Sequence, residues 1–221
     1  MSLASNIEAV HKKIEAAALR AGRKKEDVQL ICVSKTFPAE TIQEACALGE
    51  TTFGENRPQE LRDKFDKVDG ATWHLIGHLQ TNKVKYVVGK AALIHSVDSI
   101  HLAEAINERA LKEGIVQDIL LEVNISGEES KYGLTIEQIP NIIKEIKTLS
   151  ALNFKGFMTM APLDAPEAEI RAIFKTAHTL FKEYENEGAT VLSMGMSRDF
   201  EIAVEEGATH VRVGSAVFKL V

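Results

Sequence analysis

Lys35 follows the run Val28-Gln29-Leu30-Ile31-Cys32-Val33, separated from it only by Ser34. A lysine at such a strand end has two readings. In the plain one the side chain snorkels out to water. In the other, burial disfavours the charged form, lowers its pKa and makes the amine nucleophilic toward a carbonyl carbon, as a Schiff-base lysine requires. Much later, Ser197 reads as the N-cap of a helix from Arg198 to Glu206, and Gly214-Ser215 follows a strand. A hydroxyl beside free amides, and glycine backbone that permits close approach, both suit a phosphate. Each serine alone is equally a plain cap or turn; together, after the last two strands, they point to phosphate binding. Arg212 lies two residues before Gly214. It keeps its proton even when buried, so it is either a donor to a bound group or half of an ion pair with a strand-end carboxylate.

Other constellations are weaker. His74 and His78 are four apart on a strand-to-loop segment, where they do not share a face, and no Cys or carboxylate joins them as a metal site would need. Lys83, Lys85 and Lys90 with Tyr86 read as a solvated basic face. Cys32 and Cys46 read as free thiols in a reducing compartment. The chain contains no P-loop and no dinucleotide-binding glycine fingerprint.

Positioning such residues requires a scaffold. Ile7, Val10, Ile14 and Ala17 recur at helical spacing before Gly22. Short strand-like runs then alternate with helical patterns: 28–34, 51–53, 73–76, 92–95, 119–124, 154–158, 190–193 and 210–213. The segment Thr81 to Val88 reads as a basic helix, Asp98 as the cap of the helix after it, and Thr135 with Gln138 as a capping box. Strict alternation implies a parallel sheet with right-handed crossovers. About eight units in this length favour closure. The expected fold is a (β/α)8 TIM-type barrel with an extra N-terminal helix, in a single domain over 1–221. In such a barrel, active groups gather at the C-terminal strand ends.

With 221 residues, 45% apolar and a net charge of −6, the chain is neither disordered nor a general nucleic-acid binder. Its N-terminus lacks the apolar run of a signal peptide, and no stretch approaches a membrane span. A cytoplasmic protein without membrane attachment is expected.

In these residues the sequence resembles the pyridoxal phosphate homeostasis protein family, barrels similar to the N-terminal domain of alanine racemases. The resemblance rests on Val33-Ser34-Lys35-Thr36, Phe53-Gly54-Glu55-Asn56, the segment from Trp73 to Gln80, Gly156-Phe157-Met158-Thr159-Met160, Ser193-Met194-Gly195-Met196-Ser197 and Val211-Arg212-Val213-Gly214-Ser215. It implies that Lys35 forms the internal aldimine with pyridoxal 5'-phosphate (PLP). It further implies that Ser197, Gly214 and Ser215 hold the phosphate and that Arg212 faces the pyridine nitrogen. Asn56 and Met194 would line the cofactor, with His78 a near neighbour. Arg57 stands where many members have tyrosine, and Ser215 where many have threonine; either hydroxyl can meet a phosphate oxygen. An arginine opposite the ring nitrogen, where an aspartate would keep it protonated, implies a weak electron sink.

The resemblance implies a carrier and regulator in vitamin B6 homeostasis, without substantial catalysis, supplying PLP to dependent apoenzymes. The alternative is an alanine-racemase-type enzyme, which needs a second acid/base on the far face of the substrate. The chain ends where the barrel closes, and Tyr86, Tyr132 and Tyr184 have no evident claim to that role. A phosphosugar aldolase or isomerase using Lys35 is a third reading, and would be colourless as purified. A monomer is expected, and the polar segment 126–132 is expected to cover the cofactor face.

Overall fold

A computed structural model of the chain describes residues 2–128 and 132–219. Part of the segment expected to cover the cofactor face, residues 129–131, lies outside the described residues.

Eight parallel strands close into a barrel in chain order. They are β1 (Gln29–Val33), β2 (Thr52–Glu55), β3 (Thr72–Leu75), β4 (Leu93–Val97), β5 (Gln117–Glu122), β6 (Leu152–Met158), β7 (Val191–Ser193) and β8 (His210–Val213). The helices are α1 (Leu3–Arg20), α2 (Ala39–Ala47), α3 (Pro58–Phe65), α4 (Ile100–Glu113), α5 (Ile139–Ile146), α6 (Glu167–Glu183), α7 (Phe200–Glu205) and α8 (Ser215–Phe218). The seam closes where β1 pairs with β8, with Ile31 opposite Arg212.

Side-chain alternation divides each strand between two cores. Leu30, Cys32, Ile94, Ile119, Leu121, Phe157, Val211 and Val213 join the main apolar core beneath the helices. Leu93, Leu120 and Met158 form a separate cluster, facing the barrel axis. The axis also carries polar side chains, described below. The N-terminal helix α1 lays Ile7, Val10, Ile14 and Ala17 into the main core. Its buried Asn6 donates through Nδ2 to the carbonyls of Val217 and Lys219, at 3.0 and 2.9 Å. The first helix is thereby stitched to the last.

Three local expectations are corrected. Residues Thr81–Tyr86 form a 3-10 stretch where an α-helix was expected. The connection there is short, and a 3-10 rise of about 2.0 Å per residue spans more height than about 1.5 Å. The cap of α4 is Ser99, whose Oγ accepts the Leu102 N–H at 3.3 Å, and not Asp98. Helix α7 starts at Phe200, after Asp199, and not at Ser197. The intervening turn places Gly195 at φ 89° and donates the Met196 N–H to Asp199 Oδ1 at 2.6 Å. The capping box of Thr135 and Gln138 is present, at the 3-10 turn Ile136–Gln138.

Among the described residues no helix is long and apolar enough to cross a membrane.

Candidate functional site

Lys35 sits immediately beyond β1 in a tight turn closed by the Phe37 N–H donating to the Ser34 carbonyl at 3.1 Å. Thr36, at the third position, has φ 69°. Among the described residues it is the one non-glycine residue in the left-handed region, which is costly for a β-branched side chain. A buried network anchors the turn from outside the barrel. Ser34 Oγ donates to Glu55 Oε1 at 2.7 Å. Lys64 Nζ donates to that same oxygen at 2.8 Å, to the Ser34 carbonyl at 3.0 Å and to Glu60 Oε2 at 3.2 Å. The Thr36 N–H donates to Glu60 Oε2 at 2.9 Å. Burial pushes the Glu55 carboxyl above its ordinary range, against the pull of Lys64 and Ser34. Glu60 is held below its ordinary range, because Thr36 N–H and Lys64 outweigh its partial burial.

Lys35 itself is exposed. Of the two readings of this strand end, the side chain that reaches out to water is the one observed. The turn carries the residue past the last pair of the β1–β2 ladder, Val33 with Gly54, and so past the packed layers. Burial is therefore not what would activate this lysine.

Across the seam, Arg212 is 3% exposed. Its Nη1 donates to Ser193 Oγ at 2.6 Å and its Nη2 to the Thr159 carbonyl at 3.1 Å. The polar partners are neutral, so the ion-pair alternative is not what holds it. Burial lowers its pKa to about 10, while Asp199 and Glu122 act through space to keep the proton on. Behind Ser193, His95 Nδ1 lies 2.9 Å from its hydroxyl, and His95 Nε2 lies 3.0 Å from His74 Nδ1. His210 stacks against His74 with centroids 6.3 Å apart. Burial above all, reinforced by neighbouring positive groups, brings His74 to about 3 and His210 to about 4, and puts His95 well below its ordinary value. These imidazoles are neutral at pH 7. Glu122, at the end of β5, is raised to about 7 by burial and by Asp98, against Arg212.

Ser197 and Gly214 meet where phosphate binding was expected. The Gly214 N–H donates to Ser197 Oγ at 3.2 Å. A Cβ on Gly214 would sit 3.2 Å from both the Val33 carbonyl oxygen and Val33 Cβ, so this backbone lies tight against the end of β1. Ser215, the next residue, is exposed. On the opposite rim, His78 stacks on Tyr132 with centroids 3.9 Å apart and has Nδ1 3.5 Å from Asp98 Oδ2. Asn56 is half-buried, and a Cβ on Gly77 would fall 2.3 Å from its carbonyl oxygen.

The expectation for Met194 is corrected. It is completely buried in the main core, leaving no surface for a ligand. Alternation gives the axis to Ser193 and turns Met194 toward the helices.

The alanine racemase N-terminal domain family matches residues 3–221. The pyridoxal phosphate homeostasis protein of Aquifex aeolicus is 42% identical over 224 residues, which are 99% of this chain and 98% of that one. The chain belongs to the pyridoxal phosphate homeostasis protein family. The Escherichia coli K12 member is 35% identical over 226 residues, 98% of this chain and 95% of its own. The solved structure of PipY from Synechococcus elongatus with PLP bound is 36% identical, with a TM-score of 0.85, and covers 99% of this chain and 100% of that one. An alanine racemase from Clostridium difficile, 15% identical with a TM-score of 0.76, shares the fold over 99% of this chain and 56% of its own.

Several residues of this site in the homeostasis family member carried no advance assignment. Ser193, His95, His210 and Thr159 surround Arg212, and Glu60 and Lys64 hold the Lys35 turn. Two signals could have found them: polar residues inside apolar strands, and the i,i+4 spacing of Glu60 and Lys64. Among the described residues, no group of three or more His, Cys, Asp and Glu is arranged to hold a metal ion.

Proposed function

We propose that this chain binds pyridoxal 5'-phosphate at the C-terminal mouth of its barrel and serves its homeostasis and supply, without substantial catalysis of its own. One observation carries the reading. The Lys35 turn leaves β1, the Ser197–Gly214 contact lies against the end of β1, and buried Arg212 pairs with β1 across the seam. An amine, two phosphate-compatible groups and an obligate donor thus share one rim. The 42% identity to a protein named for PLP homeostasis adds to it.

The residues fit the cofactor in chemical type. Lys35 would hold the cofactor covalently, through its amine and the cofactor's aldehyde carbon. The Ser197 and Ser215 hydroxyls would hold the phosphate, with Gly214, whose N–H donates to Ser197 Oγ, allowing its close approach. Arg212 retains N–H donors beyond those used on Ser193 and Thr159, and one of them would meet the ring nitrogen. Asn56 and His78 line the opposite side. When bound, PLP supplies an electrophilic carbon and an electron sink, which an arginine-paired ring nitrogen keeps weak.

The non-catalytic reading is supported by what the rim offers. Two-base racemisation needs an acid/base on each face of the substrate carbon. Tyr86 lies among Arg62, Lys83 and Lys85, and Tyr184 packs edge-on against Phe157. Tyr132 is committed to stacking on His78. An exposed Lys35 also leaves water in the site, which suits loading and unloading better than chemistry. The same reading has the chain act as a cytoplasmic monomer that serves PLP-dependent apoenzymes, without nucleic acid or membrane.

The test is a visible absorption spectrum before and after borohydride, with peptide mapping. A reduced pyridoxyl group on Lys35 is expected, together with no racemisation of alanine or serine. Robust racemisation that is lost in Lys35→Ala overturns the non-catalytic reading; a pyridoxyl group on another lysine overturns the site.

A further inference from the structure

We infer that Glu60, held by Lys64, is a positioning residue for Lys35: it locks the Ser34–Phe37 turn in the one backbone conformation that presents the amine to the barrel mouth. The inference rests on reading Lys35 as the PLP anchor. Its ground is the geometry of the turn. Thr36, adjacent to Lys35, has φ 69°. Left unrestrained, a threonine abandons that region by a factor on the order of ten. The turn's own hydrogen bond, Phe37 N–H to Ser34 carbonyl, tolerates other backbone types.

What selects this one is the bond from Thr36 N–H to Glu60 Oε2, at 2.9 Å. Glu60 is itself placed by Lys64, 3.2 Å from that oxygen. The other donors of Lys64 go to Glu55 Oε1 and the Ser34 carbonyl, at 2.8 and 3.0 Å. One ammonium therefore ties both flanks of Lys35 to the helix Pro58–Phe65. An ammonium has three hydrogens. With Glu55, Glu60 and Ser34 accepting them, Lys64 is a strut between the turn and that helix, and its nitrogen is fully engaged in holding the turn.

The experiment compares wild type, Glu60→Ala, Thr36→Gly and the double variant. Each is stripped of PLP and reloaded, with visible absorbance giving the rate, thermal melting giving stability, and amide exchange at residue 36 reporting the turn without any cofactor. Glu60→Ala is expected to load about tenfold more slowly and to lose amide protection at residue 36 while still folding. Glycine populates positive φ freely, so Thr36→Gly is expected to load within about twofold of wild type, and the double variant to recover to within about threefold. If Glu60→Ala fails to fold, Glu60→Gln keeps an oxygen for the Thr36 N–H but weakens the Lys64 pair, and an intermediate rate is expected. Wild-type loading by Glu60→Ala or Glu60→Gln, or a double variant no faster than Glu60→Ala, overturns the inference. Mapping of the wild-type pyridoxyl group separates the two failures. A label on Lys35 with unaffected loading removes the positioning role alone, whereas a label elsewhere removes the anchor and this inference with it.

Discussion

Arg212 Nη1 donates to Ser193 Oγ at 2.6 Å, and that bond orders the hydrogen bonds behind it. Arginine has no acceptor. With the guanidinium donating, the Ser193 hydroxyl proton is used when it goes to His95 Nδ1. His95 then carries its proton on Nε2 and gives it to His74 Nδ1. In this order no imidazole is charged. Ser193→Ala strands a guanidinium hydrogen and an imidazole nitrogen in the barrel axis. A loss of roughly 1–3 kcal/mol is expected. Urea denaturation measures it, and a midpoint equal to wild type would contradict the ordering.

The buried imidazoles give the barrel an acid-sensitive core. Their folded pKa values lie below the ordinary 6.5, at about 3 for His74 and about 4 for His210. Between those values and 6.5 the unfolded chain binds more protons, so stability is complete above pH 6.5 and falls on acidification. Each titrating histidine contributes a slope of up to about 1.4 kcal/mol per pH unit. Glu122 acts the other way: its folded value of about 7 exceeds the ordinary 4.5, so its contribution is lost as pH rises through that interval. Glu55 and Asp199, also raised by burial, act in the same direction as Glu122, but the three buried imidazoles outweigh these carboxyls. Melting temperature is expected to drop steadily from pH 6.5 to 4, and a rise over that range would refute the balance.

Removing the proposed anchor should leave the scaffold intact. Lys35 is exposed, and surface substitutions away from special features cost within about 0.5 kcal/mol. Lys35→Ala is expected to abolish borohydride-stable labelling while leaving the melting temperature unchanged. Labelling that persists at wild-type yield would remove Lys35 from its role.

Gly77 tests how the opposite rim is built. A Cβ there would lie 2.3 Å from the Asn56 carbonyl oxygen and 2.7 Å from its Cα, both backbone atoms without freedom to rotate aside. Gly77→Ala therefore forces the β2 and β3 ends apart, at an expected cost of about 1–3 kcal/mol. It should weaken PLP binding by displacing Asn56. Calorimetric titration and denaturation together check this; unchanged affinity would place Asn56 outside the site.

The barrel was legible because apolar runs and glycine stops repeat in strict alternation. Gly49, Gly114, Gly188 and Gly207 all have positive φ just past helical segments. The meeting of Ser197 with Gly214 was foreseeable from their places after the last two strands, although the cap was wrongly assigned. Asp199 took the turn's backbone instead, a choice between neighbouring Asx and Ser residues that local sequence leaves open. The exposure of Lys35 was one of the two readings its strand end allowed, and nothing local chose between them. Five residues of apolar strand before it suggested burial, but the turn depends on Glu60 and Lys64, whose approach is a tertiary fact. The histidine chain stayed hidden for the same reason: His74, His95 and His210 lie on three strands and meet only across the axis.

The seam between β1 and β8 gives the site a history as well as a place. Lys35 lies near one end of the chain, while Ser197, Arg212, Gly214 and Ser215 lie near the other. As the polypeptide emerges from N- to C-terminus, Lys35 is made early. Its partners arrive with the last strand, whose pairing with the first turns an open sheet into a barrel. On the proposed reading, recognition begins only once β8 has paired with β1. Any ligand that bridges the seam stabilises the closed ring over every partly assembled form.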